Sequence, residues 1–160
     1  MFDLNADAYA RFASNHFARG KKVLAGLEIQ GAEAALDVGC GPGSLTRLLA
    51  QKVPQGRVVG IDTSASMIEL AKAQGIPNAL FLVMDATKIL FENTFDIVFS
   101  NSVFHWIEDH EALLKAILRA LKNDGLLRAQ FMGHSGSTLQ EVARPSCQEK
   151  PYRGYLKGFS

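Results

Sequence analysis

From Asp37 to Gly43 the chain reads Asp-Val-Gly-Cys-Gly-Pro-Gly, closing the apolar run Ala34–Val38 and leading directly into a helical pattern. Closely spaced glycines let a backbone turn tightly and approach a ligand with no Cβ in the way. An apolar strand that stops at such a loop and continues as a helix is the opening unit of a parallel α/β sheet. The spacing also discriminates between ligands. A dinucleotide loop needs Gly-x-Gly-x-x-Gly/Ala. Counting from Gly39 puts Ser44 at the third position, and counting from Gly41 puts Thr46 there. Neither register fits, which argues against a nicotinamide-dependent oxidoreductase. The acid at the strand end suits a ligand with a positive amino group and repels pyrophosphate.

The alternation continues downstream. Ser44 to about Val53 reads as a helix with Leu45, Leu48, Leu49 and Val53 on one face. Arg57–Asp62 is the second strand, and Ser64 is placed to cap a helix running to about Gln74. Leu80–Met84 and Phe95–Ser100 are the third and fourth strands, and a helix runs from Asp109 to about Lys122. Asn123-Asp124-Gly125 reads as a turn before a fifth strand, Leu126–Phe131. Upstream, a helix is expected over Asn5–Arg19, capped by Asn5, with a separate helical stretch over Lys21–Leu27. Strands this apolar are buried on both faces. The expected fold is therefore α/β, a doubly wound Rossmann-like, mostly parallel sheet of about five strands, in a single domain of 160 residues.

Composition removes some alternatives. Seventeen Lys+Arg against sixteen Asp+Glu leave a net charge of +1, so charge balance supplies no case for nucleic acid or an anionic membrane as partner. Two cysteines, Cys40 and Cys147, make no disulfide framework, and a reducing, cytoplasmic setting is expected. The N-terminal segment carries Asp3 and Asp7 and lacks the apolar run of a signal peptide. No stretch reaches the about 18 apolar residues of a membrane span.

In open parallel sheets ligands bind beyond the carboxyl ends of the strands, and four such ends here carry polar residues. After the Asp37–Gly43 loop comes Asp62, placed to accept both hydroxyls of a ribose. Asp85-Ala86 ends the third strand; a carboxylate there can accept from an adenine amino group or simply cap a turn. Met67 can pack on an adenine face or in the core. Ser100-Asn101 ends the fourth strand, with His105 and Trp106 close behind. His105 is a candidate catalytic base and equally a structural histidine.

The segments DVGCGPG, VVGID, VMDA and FDIVFSNSVFHW, in this order, resemble the class I S-adenosylmethionine-dependent methyltransferases. NSVFHW with the following Asp-His, and then LKNDGLLRAQFMGH, are similar to the branch that includes trans-aconitate methyltransferase. The resemblance implies S-adenosylmethionine (S-adenosyl-L-methionine) as cofactor and a small-molecule acceptor. It implies that Asp37 and the backbone of Gly39, Cys40 and Gly41 hold the methionine moiety, that Asp62 takes the ribose, and that Thr63 and Met67 flank the adenine. Asp85 and the Ala86 amide would read the adenine edge, and Asn101 would lie beside the sulfonium. Tyr9 and Phe12 resemble a lid, so that residues 1–30 form an N-terminal helical cover.

The family fold has two further strands forming an antiparallel hairpin at the sheet edge, and residues 132–160 leave no room for them. The expectation is a fragment or truncation, or a homo-oligomer that covers the exposed fifth strand. A second expectation of different class is a non-catalytic S-adenosylmethionine-binding subunit. His134 is a further candidate base, and Arg144 and Arg153 are candidate anchors for a carboxylate acceptor or ordinary surface arginines.

Overall fold

A computed structural model describes residues 6–131, with side chains from Ser14 onward except that of Asn15. Five strands alternate with helices: α1 (Ala6–Ala25), β1 (Ala34–Val38), α2 (Ser44–Lys52), β2 (Arg57–Asp62), α3 (Ala65–Ala73), β3 (Ala79–Val83), β4 (Phe95–Asn101), α4 (His110–Ala120) and β5 (Leu121–Gln130). Single 3-10 turns follow β3 (Ala86–Lys88) and β4 (Phe104–Trp106). The sheet order is β3-β2-β1-β4-β5 and every pairing is parallel. Strand order therefore reverses beside β1, and all carboxyl ends point one way.

Side-chain alternation along the strands divides the core in two. Leu36, Val38, Val59, Ile61 and Val98 face Phe95, Phe104, Leu113 and Ile117 on the α4 side. Ala35, Val58, Ile97 and Phe99 face Leu24 of α1 and Leu49 and Val53 near α2. Cys40, Phe81 and the α3 residues Ile68 and Ala71 form a smaller cluster. Fully burying such side chains is worth about 1.5–3 kcal/mol each, so the central strand β1, buried at all five positions, is the anchor of the sheet.

Local signals explain most boundaries. The Ser64 hydroxyl accepts from Met67 N at 3.3 Å and Asp109 accepts from Ala112 N at 2.9 Å, starting α3 and α4. Two expectations are corrected. The N-terminal helix does not divide at Gly20; α1 runs unbroken to Ala25. An interior glycine costs about 1 kcal/mol against alanine, and here close packing demands it: an added Cβ would overlap Leu45 and crowd Asn101. Nor is Asn123-Asp124-Gly125 a turn outside the sheet. Phe95 pairs with Leu121 and Ile97 with Leu126, so five residues of β5 run against two of β4. The excess forms a bulge, fastened by Lys122, whose Nζ lies 2.9 Å from both oxygens of Asp96.

The expected cap Asn5 and the whole segment 132–160, including His134, Arg144 and Arg153, lie outside the described residues. Within them β5 does form a sheet edge, with β3 at the other. No described helix is long and apolar enough to cross a membrane.

Candidate cofactor and acceptor site

A cavity of about 810 Å³ opens beyond the carboxyl ends of β1 to β4. Its floor is the glycine loop. Gly39 and Gly41 have φ of +70° and +52°, in the left-handed region that glycine alone adopts without strain. Their surroundings differ. A Cβ on Gly39 would overlap Val103, so this glycine lets the β4 loop close over the strand end. A Cβ on Gly41 would meet nothing within 4 Å; it would stand in the cavity itself.

The loop is tied to β2. Gly39 N and Cys40 N donate to Ile61 O at 2.8 and 3.0 Å. Asp62 then bridges two loops, Oδ2 accepting from Gly41 N at 3.0 Å and Oδ1 from Ser64 N at 2.9 Å. A carboxylate offers about four lone-pair sites, so each oxygen keeps one acceptor for a ligand. A brace supports the loop from behind: Gln74 donates to Pro42 O, and Arg47 Nε donates to Gln74 Oε1 at 2.9 Å.

Asp85 lies on the cavity wall and caps the following 3-10 turn. Thr87 N and Oγ1 both donate to its Oδ1 at 2.8 Å, holding the carboxyl below its usual range, while Oδ2 is left for a ligand. Capping and ligand-reading are therefore compatible. Thr63, Met67, Ala86 and Asn101 also line the cavity.

Asp37, Cys40 and His105 do not line it. Asp37 is 2% exposed and accepts from Thr46 Oγ1 at 2.6 Å. Burial pushes its carboxyl up to about 7, against the Thr46 hydrogen bond and with the help of the Asp62 charge. The Cys40 thiol packs against Ile68, Ala71 and Phe81. Burial, with Asp37 and Asp62 nearby, pushes it far above the ordinary thiol range, so it is an unreactive packing group. The His105 ring sits 5.1 Å from the ring of Trp106, tilted by 43°; Trp106 lines the cavity in its place. The side chains of Tyr9 and Phe12 lie outside the described residues.

At the β4 end the fold assembles a cluster that the sequence did not announce. Ser102 adopts φ +62°, rare for a residue with a side chain. Its backbone N donates to Gln130 O at 2.6 Å, and its hydroxyl meets Nδ1 of His16. Asn101 Nδ2 donates to His16 O at 3.2 Å, whereas Asn101 Oδ1 is buried without a hydrogen-bond partner among the described residues. His16 lies on α1, and no motif or spacing in the sequence singled it out.

The family profile described as a methyltransferase domain matches residues 36–129. The chain belongs to the methyltransferase-domain family. This methyltransferase domain is 31% identical over 152 residues to a trans-aconitate 2-methyltransferase of Methylobacterium radiotolerans, covering 95% of the chain and 58% of that relative. A trans-aconitate 2-methyltransferase of an Azoarcus species is 36% identical over 123 residues, 77% of the chain and 48% of the relative. The domain thus spans well under two thirds of the length of these curated relatives. A solved TehB-like SAM-dependent methyltransferase of Corynebacterium glutamicum superposes with a TM-score of 0.68 at 26% identity, over 86% of the chain and 78% of that structure.

S-adenosylmethionine is the cofactor of this family, and the residues of the domain fit it. Gly41 leaves backbone open toward the cavity, and Asp62 keeps two acceptors for a vicinal diol. Asn101 lines the same cavity at the β4 end. The acidic wall suits a sulfonium cation. Among the described residues no group of His, Cys, Asp or Glu could hold a metal ion.

Proposed function

We propose that this domain transfers the methyl group of S-adenosylmethionine to a small-molecule acceptor bearing a carboxyl group. The observation that carries the reading is Asp62, a strand-end carboxylate fixed by the amides of Gly41 and Ser64 with one acceptor left on each oxygen. The carboxyl acceptor is supported by the relatives, whose name specifies trans-aconitate.

When bound, the cofactor supplies a methyl group made electrophilic by its positive sulfur. The protein's part is placement. Asp62 takes the ribose hydroxyls. Met67 and Thr63 flank the adenine, and Asp85 Oδ2 with the Ala86 amide read its edge. The backbone from Gly39 to Gly41, tied to β2 through Ile61 O and Asp62, carries the methionine end. Asn101 would lie beside the sulfonium, with Val103 and Trp106 lining the same end of the cavity. Holding donor and acceptor in line can remove about 7–11 kcal/mol from a bimolecular barrier. A carboxylate is already deprotonated at neutral pH, so no proton transfer is assigned to His105.

Calorimetry with S-adenosylmethionine, and mass spectrometry of methylated acids, test the reading. Asp62→Asn keeps the shape of the side chain and removes its charge. It should weaken cofactor binding at least about tenfold, equivalent to one charge-assisted hydrogen bond. Cofactor affinity unchanged in both Asp62→Asn and Asp62→Ala would refute the site.

A further inference from the structure

The strand order sets the direction in which a nucleoside lies across the cavity. Asp85 follows β3 and Asp62 ends β2, both on one side of it. The sheet continues through β1 and its glycine loop to β4. Neighbouring strands are about 4.8 Å apart, so β2 and β4 are separated by about 10 Å. A cofactor with its adenine at β3 and its ribose at β2 points its amino-acid end toward β4. That end of S-adenosylmethionine carries an ammonium and a carboxylate.

The carboxylate arrives in an acidic cavity. Asp62, Asp85, Glu108 and Asp109 line it, and among the described residues no lysine or arginine does. His16 is the one described lining group able to carry a positive charge. It reaches the β4 end from α1 and is fixed there. Asn101 Nδ2 donates to the His16 carbonyl at 3.2 Å, and the Ser102 hydroxyl meets Nδ1 of the ring. The same hydroxyl lies 3.4 Å from Oε1 of Gln130 on β5. Ser102 is kept at φ +62°, a left-handed conformation of the kind that costs energy and clusters at ligand sites.

We propose that His16 binds the carboxylate of the cofactor, with Ser102 as the positioning residue that orients its ring. The proposal rests on the S-adenosylmethionine reading above, and it gives a partner to the one charged group of the cofactor that the acidic wall repels. Burial, and then the charge of Arg19 on the same helix, hold the imidazole below its ordinary range. Arg19 itself is exposed and does not line the cavity. The groups that face His16 from β4 and β5, namely Asn101, Ser102 and Gln130, are uncharged. A carboxylate against the ring acts in the opposite sense and favours the imidazolium. Binding therefore takes up a proton at neutral pH.

Titration calorimetry of the full chain, with S-adenosylhomocysteine and with the same molecule lacking only its carboxylate, isolates the contact. Neither ligand has a methyl group to transfer. His16→Ala should weaken S-adenosylhomocysteine at least about tenfold, the scale of one charge-assisted hydrogen bond, and the decarboxylated ligand by less than about twofold. Ser102→Ala should reproduce part of the same selective loss. In the wild type, affinity for S-adenosylhomocysteine should fall at least about threefold between pH 5.5 and pH 7.5, because the complex holds a proton that the free imidazole has released. Affinity for the decarboxylated ligand should not fall. His16→Arg, whose charge does not titrate, should bind S-adenosylhomocysteine within about threefold of the wild type and lose the pH dependence. Equal losses for the two ligands in His16→Ala would make His16 a structural contact of α1 and overturn the proposal. A wild-type affinity for S-adenosylhomocysteine that is level across the pH range overturns it too. Failure of the wild type to bind either ligand instead brings down the cofactor reading beneath it.

Discussion

Replacing Asp37 by asparagine should flatten the pH dependence of folding stability. In the folded chain the carboxyl is raised from 3.8 to about 7, first by burial and further by the charge of Asp62. The unfolded chain releases this proton near the lower value and the folded chain only near the higher one. Between them the folded state holds more protons, so stability falls as pH rises through this window and levels off above about 7. A tenfold difference in proton affinity is worth about 1.4 kcal/mol, so the full loss is about 4 kcal/mol. Integrated from pH 5 to pH 8, the part seen in an accessible range is about 2.5 kcal/mol. Asparagine can still accept from Thr46 but never ionises. Its buried N–H₂ costs about 1–3 kcal/mol at pH 5, a deficit that should shrink toward zero by pH 8. Urea unfolding of both proteins at the two pH values measures the difference of differences. Identical losses for wild type and Asp37→Asn between pH 5 and pH 8 would refute the assignment.

Two further outcomes are expected. Gly39→Ala should destabilise the chain by about 1–3 kcal/mol in thermal unfolding, because the new Cβ overlaps Val103 at a positive φ; adding Val103→Ala should recover part of that loss, leaving the φ penalty. Lys122→Met should move the acid-unfolding midpoint to higher pH. Burial alone would raise Asp96, but the Lys122 and Ala34 hydrogen bonds hold it below its ordinary value. That stability is present above the unfolded pKa and lost as pH falls through the folded one, and the variant forfeits part of it, as circular dichroism during acid titration would record.

Much of this fold was legible in the chain because its signals are local. β2 begins and ends where expected, since Gly56 and the Ser64 cap bracket one uninterrupted apolar run. Asp62 and Asp85 stand on the cavity wall because they end β2 and follow β3, at the carboxyl end of the sheet where the cavity opens. What could not be read depends on partners distant in sequence. Gly20 looks like a break until Leu45 and Asn101 press against it. Asp37 was expected at the ligand, but its burial is decided by Thr46, one helix turn inside α2. The meeting of His16, Ser102 and Gln130 spans nearly the whole described chain. Asn-Asp-Gly is ordinary turn chemistry, overridden here because Leu121 had already paired with Phe95.

The bulge in β5 also separates two kinds of work. Every strand of a parallel sheet offers one end to the cavity and the other to the opposite surface. The surplus residues lie beside Phe95, where β4 begins, and Asn123 and Asp124 are exposed there. Surplus residues of a bulge are exposed and left out of the ladder, so inserted sequence there breaks few contacts. A peptide tag or fluorescent reporter spliced between Asn123 and Asp124 would therefore hang from the floor of the molecule, leaving the ligand side untouched. The chain has a natural handle as far from its chemistry as the sheet is long.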